Sequence, residues 1–235
     1  MEIPSRRDEI ATSLSAVRQR LARALERAGR SPSSARLVAI SKTRPAEDVR
    51  AAFDAGQIDF GENRVQEALE KIAATSDIPI TWHLVGHLQS NKARRAASSF
   101  GWIHSVDGAD LLKRIDAAAE EDGRRPELLI QVDLAGEPTK HGAPAGAWFS
   151  LFEAAAGCRA ARVAGLMLLP PFTPDPEDAR PYFTRLRDLR DELAARGVPP
   201  GMLRELSMGM SHDFEVAVEE GATLIRVGTA IFGDR

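Results

Sequence analysis

Lys42 closes an apolar run, Leu37-Val38-Ala39-Ile40, at the polar stretch Ser41-Lys42-Thr43-Arg44-Pro45. A continuous apolar segment bounded by polar residues reads as a parallel strand covered on both faces. Lys42 then falls at the strand's C-terminal mouth, where parallel α/β sheets bind ligands. A lysine held against apolar walls can lose enough of its pKa to attack a carbonyl, which makes Lys42 a Schiff-base candidate. A solvated lysine just past a strand is the commoner occurrence, so the assignment rests on the rest of the chain.

A second group lies near the end, in Leu206-Ser207-Met208-Gly209-Met210-Ser211-His212-Asp213 and Ile225-Arg226-Val227-Gly228-Thr229. Ser207 and Thr229 offer hydroxyls, Gly209 and Gly228 let backbone N–H groups approach closely, and Ser211 or Asp213 suits a helix start. Together they form a candidate phosphate cup of the kind found after strands seven and eight of a barrel. Two ordinary turns with a helix cap are the alternative. Arg226 interrupts an apolar segment and needs partners or solvent. Period-two alternation puts Leu224, Arg226 and Gly228 on one face, so Arg226 either points up the barrel towards the mouth or makes a structural ion pair. His83 and His87 have the i, i+4 spacing of a zinc helix, but on a strand that spacing spans roughly 13 Å, and no metal site is expected. Asp107 and Asp133 end strands, where capping and salt bridges are the default.

The elements that must position these residues alternate. Strands are expected at 37–41, 58–60, 80–85, 102–106, 127–132, 162–169, 204–208 and 223–227, nearly all separated by helices at 46–55, 64–74, from about 91, 109–121, 145–156, 178–196 and 212–220. An amphipathic helix over 6–29 precedes them. Eight alternating units argue for one α/β domain over 1–235, a (β/α)8 TIM barrel with an extra N-terminal helix, against a doubly wound open sheet. Pro170, Pro171, Pro174 and Pro176 mark a rigid loop at the barrel mouth, not a linker.

The chain's 235 residues suit such a barrel, and a net charge of -3 gives no reason to expect nucleic acid or an anionic membrane. Cys158 is the sole cysteine, which rules out an intrachain disulfide and suits a reducing compartment. The N-terminus lacks a signal peptide's apolar core, and no run approaches the ~18 apolar residues of a membrane span. The expectation is a cytoplasmic protein.

Taken in order, several segments resemble the pyridoxal phosphate homeostasis proteins, whose barrel is related to the N-terminal domain of alanine racemase. They are Val38-Ala39-Ile40-Ser41-Lys42-Thr43, Phe60-Gly61-Glu62-Asn63, Trp82-His83-Leu84-Val85-Gly86-His87-Leu88-Gln89-Ser90-Asn91-Lys92, Gly165-Leu166-Met167, Leu206 to Ser211, and Arg226-Val227-Gly228-Thr229-Ala230-Ile231-Phe232-Gly233. The resemblance implies that Lys42 holds pyridoxal 5'-phosphate (PLP) as an internal aldimine and that Ser207, Gly228 and Thr229 bind its phosphate. It places Asn63 beside the cofactor and Arg226 at the pyridine nitrogen. PLP is a strong electron sink when that nitrogen is protonated, and a permanently charged arginine disfavours the proton. The site should therefore hold PLP better than it stabilises carbanions. The chain departs from commoner family versions around Leu168-Leu169-Pro170-Pro171-Phe172, which affects the local loop shape.

Alanine racemases use a tyrosine from a further β domain as second acid/base. This chain ends at Arg235, and its sole tyrosine, Tyr182, lies on a predicted helix. The expected function is a non-catalytic PLP protein, a monomer that keeps PLP bound and delivers it to apo forms of PLP-dependent enzymes by transimination. The alternatives are a PLP-dependent racemase or other PLP enzyme, a Schiff-base aldolase for a phosphorylated sugar, and an interaction protein using PLP as a regulatory ligand.

Overall fold

The computed structural model describes residues 4–136 and 141–234. The chain opens with α1 (Arg6–Arg27), which Ser5 and Asp8 start by a reciprocal capping box. Its buried residues Ile10, Leu14, Val17, Leu21, Ala24 and Leu25 recur at helical spacing. That stripe lies against α2 (Ala46–Asp54), α8 (Phe214–Glu219) and α9 (Thr229–Phe232).

Eight strands follow: β1 (Arg36–Ile40), β2 (Asp59–Glu62), β3 (Thr81–Leu84), β4 (Trp102–Val106), β5 (Glu127–Gln131), β6 (Arg162–Met167), β7 (Glu205–Ser207) and β8 (Leu224–Val227). They pair in parallel and in sequence order, and β1 pairs β8 to close the barrel. Between them run α3 (Val65–Ala74), α4 (Ala93–Ser99), α5 (Ala109–Glu121), α6 (Trp148–Ala155) and α7 (Arg180–Ala195). This is the (β/α)8 barrel with an N-terminal helix that the alternation predicted.

The two sides of each strand belong to different cores. Val38, Ile40, Val85, Trp102, Leu129, Ala164, Met167 and Leu224 cluster inside the barrel. Their neighbours Leu37, Ala39, Ile225 and Val227 join the layer between strands and helices. Each large side chain fully buried there contributes about 1.5–3 kcal/mol. Inside, space is limiting: a Cβ on Gly61 would come within 2.4 Å of Ile40 Cδ1.

Strand β4 and helix α5 have the bounds expected from sequence, and most other elements differ by one to three residues. Strand β2 runs on through Gly61 and Glu62, and α4 and α6 each begin after a short 3-10 turn. Helix α9 was not foreseen. Past β6, the proline-rich segment leaves Phe172 79% exposed, and His212 Nε2 lies 3.0 Å from the Pro174 carbonyl. Among the described residues, no helix is long and apolar enough to cross a membrane.

Candidate functional site

Period-two alternation carries the inward phase of β1 from Val38 through Ile40 to Lys42, that of β2 from Gly61 to Asn63, and that of β8 from Arg226 to Gly228. The register pairs Ile40 with Gly61 and Val38 with Arg226, so these phases leave the barrel at one height. Lys42 is half-buried and shares a narrow cleft with Ile40, Thr43, Gly228, Thr229 and Phe232.

The turn that presents Lys42 is strained. Thr43 adopts φ of 63°, a left-handed conformation that costs a non-glycine residue roughly 1–2 kcal/mol. Its N–H donates to Glu67 Oε1, which holds it there. Glu67 in turn accepts from Lys71 Nζ at 2.9 Å, and the same ammonium donates to Glu62 Oε1 at 2.7 Å and to the Ser41 carbonyl at 2.6 Å. Ser41 Oγ donates to Glu62 Oε1 at 2.7 Å. Lys71 and Glu62 are buried, so one ion cluster grips the residues on both sides of Lys42. Burial raises the Glu62 carboxyl above its ordinary pKa, against the opposing pull of Lys71 and Ser41. Beyond the turn, Arg44 donates to the carbonyls of Gly233 and Asp234, tying the β1 exit to the segment after α9.

Asn63 is held through its backbone. A Cβ on Gly86 would lie 2.2 Å from the Asn63 carbonyl oxygen, so only glycine lets the β2 and β3 exits meet there. A broad groove runs from Asn63 past Gln66, His87, Gln89 and Lys92; Lys42 is not among its lining residues.

At the last two exits, Ser211 Oγ accepts from the N–H groups of Gly228 at 3.1 Å and Ala230 at 3.4 Å. Two backbone amides thus converge on one hydroxyl oxygen, next to the exposed Thr229 and across the cleft from Lys42. Gly209, at φ of 89°, makes the reversal below, where a Cβ would meet Ala217 Cβ at 2.6 Å. Asp213 occupies the position before α8, but its carboxylate accepts from Met210 N–H at 2.6 Å and does not cap that helix. Sequence reasoning took Ser211 only as a possible helix start; its position fifteen residues before Arg226 carries no local signal that it meets Gly228.

Ser207, expected at a phosphate, is fully buried and its hydroxyl is engaged inside the barrel. It accepts from Arg226 Nη1 and lies 2.9 Å from His104 Nδ1. Arg226 points into the barrel and donates through Nη2 to the Leu168 carbonyl at 2.8 Å, fixing the start of the proline-rich segment. It makes no carboxylate ion pair among the described residues, so the inward alternative holds over the structural ion pair. Burial lowers its pKa to about 10, which keeps it cationic near neutrality.

The histidines separate as strand geometry requires. His83 lies inside, 2.9 Å from His104 and 2.9 Å from Asp59. His87 lies past Gly86 with Asp107 and His141, all donor atoms within 4.8 Å of one another. The His87 and His141 rings stack with centroids 3.5 Å apart and planes within 9°, so their in-plane lone pairs do not converge on one point. Asp133, at the β5 exit, accepts from the N–H groups of Ala135 and Gly136 in a local turn. Tyr182 lies on α7, packed against the outer helical layer.

The sequence model of the family described as alanine racemase, N-terminal domain, matches residues 12–235, nearly the whole of this barrel. The pyridoxal phosphate homeostasis protein of Aquifex aeolicus is 45% identical over 222 residues, 94% of this chain and 96% of that one. Its counterpart from Pseudomonas aeruginosa is 41% identical over 226 residues, covering 96% of each. The structure of PipY from Synechococcus elongatus PCC7942 with PLP bound superposes with a TM-score of 0.85 at 41% identity, over 95% of this chain and all of that one. The chain belongs to the pyridoxal phosphate homeostasis proteins. Fold and family are those the sequence motifs implied.

Proposed function

We propose that this chain binds pyridoxal 5'-phosphate at the barrel mouth and serves as its reversible holder within the cell. The observation that carries the reading is the cleft shared by Lys42, Gly228 and Thr229, with Ser211 Oγ set against the amides of Gly228 and Ala230. An amine facing a cluster of amides and hydroxyls matches the two ends of a phosphorylated aldehyde. The PLP bound to PipY, 41% identical along the same fold, supports the ligand's identity.

In this reading Lys42 supplies the amine, held in reach by the clamp on Ser41 and Thr43. Gly228, Thr229 and Ser211 take the phosphate. The Ser207 hydroxyl, expected at the phosphate, is engaged by Arg226 and His104 and in this reading bears on the ring-nitrogen side through Arg226. Asn63 lines the other side of the ring. When bound, PLP supplies a reactive aldehyde and, if its ring nitrogen is protonated, an electron sink. Arg226, a buried cation with its plane fixed by Ser207 and Leu168, disfavours that proton.

We place the protein in the cytoplasm as a monomer that passes PLP to apo-enzymes and does not turn over amino acids. Two-base racemisation needs a second acid at the mouth, and Tyr182 sits in the outer layer. Incubation with an amino-acid panel in heavy water tests this: α-hydrogen should be retained, while PLP should move to an apo-enzyme. Exchange of α-hydrogen at an enzyme-like rate would make it a racemase or another PLP enzyme.

A further inference from the structure

Below Arg226 a line of polar groups crosses the barrel core. Arg226 Nη1 donates to Ser207 Oγ, which lies 2.9 Å from His104 Nδ1. His104 Nε2 lies 2.9 Å from His83 Nδ1, and His83 Nε2 lies 2.9 Å from Asp59 Oδ1 at the start of β2. Ser207, His83 and His104 have no solvent exposure. Their side chains come from β7, β3 and β4, and the β3–β4 register that sets His83 opposite Trp102 puts His104 one step further along. The Trp102 ring lies parallel to His83, centroids 5.6 Å apart. At the floor, Arg36 Nη1 lies 3.8 Å from Asp59 and Nη2 lies 3.5 Å from Glu205.

With both imidazoles neutral, the two ends order the protons between them. A guanidinium only donates, so Ser207 Oγ accepts from Arg226, and its own proton has one described acceptor, His104 Nδ1. An ionised carboxylate only accepts, so His83 Nε2 carries a proton. His83 Nδ1 is then the acceptor of a His104 Nε2 proton, which agrees with the assignment made from the other end. An imidazolium at either position would break this order, and burial pushes both rings towards the neutral form.

We propose that His104 and His83 are positioning residues for Arg226: a chain of single polarity from Arg226 to Asp59 keeps both imidazoles in the Nε2–H tautomer and keeps the Ser207 oxygen turned to Arg226. The proton order stands independently of any ligand. What Arg226 faces, and so the effect on a cofactor, rests on the PLP reading above. Ser207, His104, His83 and Asp59 are not among the residues lining the Lys42 cleft, so truncating His104 leaves the proposed ligand contacts in place.

Imidazole nitrogen resonances of histidine-labelled protein without added PLP test the order first. Protonated Nε2 and bare Nδ1 are expected at both His83 and His104; a proton on Nδ1 of either ring overturns it. PLP release is then compared for wild type, His104→Asn and His104→Leu, with folding checked by circular dichroism. The asparagine amide oxygen stands in for Nδ1 as acceptor of the Ser207 proton; leucine offers none. One lost hydrogen bond, about 1 kcal/mol, predicts release about fivefold faster and a shifted PLP absorption band in His104→Leu, with both restored towards wild type in His104→Asn. Folded His104→Leu with unchanged release and band overturns the positioning role. Should His104→Leu not fold, a wild-type release rate in His104→Asn supports the role and a leucine-like fivefold increase there overturns it. Wild type that takes up no PLP would refute the cofactor reading alone, and the nitrogen spectra would still decide the proton order.

Discussion

Lys71 Nζ donates to the Ser41 carbonyl oxygen from 2.6 Å, one residue before the proposed ligand lysine. Lys71 comes from α3, behind β2, and the same ammonium meets Glu62 and Glu67. Breaking a buried pair by removing one partner costs about 3–5 kcal/mol, because the remaining charge keeps its burial without its counter-charge. Lys71→Met should lose stability of that order in urea unfolding and should capture PLP more slowly, since Thr43 then loses the brace on Glu67. Lys71→Met with wild-type stability and capture would show that the cluster does not hold the turn.

Gly86→Ala tests the contact that seats Asn63. The new Cβ has no free volume, as the Asn63 carbonyl oxygen would be 2.2 Å away and is backbone. A destabilisation of about 2 kcal/mol or more is expected from such overpacking, together with weaker PLP binding. Thermal unfolding and PLP titration of the variant measure both.

Arg20 and Glu215 join α1 to α8 through two hydrogen bonds, 3.1 and 2.7 Å long. Those bonds, more than any other influence, hold the Glu215 carboxyl below its ordinary pKa. A depressed folded-state pKa gives stability that is present above the unfolded value of about 4.3 and lost as pH falls through the folded value. Glu215→Gln should therefore cost about 0.5–1 kcal/mol near neutrality and progressively less as pH falls below about 4.3. Urea midpoints of the two proteins across that range give the difference directly.

Cys158 follows α6, and burial, with Asp116 adding to it, pushes its thiol up to about 11. Only the thiolate reacts, so alkylation at about pH 7.5 should be slower than that of the unfolded chain by roughly two orders of magnitude. Iodoacetamide labelling followed by mass spectrometry, with and without denaturant, measures the ratio; equal rates would contradict the assignment.

The barrel was legible because its signal is repeated: eight short apolar runs with intervening helical periods point to one architecture even where single boundaries slip. Gly61 looked like a strand exit, and only the inner packing against Ile40 shows why a glycine continues β2. The inward phase of Lys42, Asn63 and Arg226 could be read from period two. Lys71 could have been noticed too, for it falls on the same face of α3 as Val65 and Ala68. The meeting of His83 with His104, and of Ser211 with Gly228, depends on strand register and on how two loops fold over each other. Neither leaves a mark within a local stretch of sequence.

The central claim is that Lys42 carries the cofactor, and borohydride reduction of the PLP-loaded protein followed by peptide mapping tests it most directly. The expected result is a visible absorption band before reduction and a phosphopyridoxyl group on the Lys42 peptide after it, both absent from Lys42→Ala. A label on Lys71 or Lys92 instead, or none on protein saturated with PLP, would contradict the account.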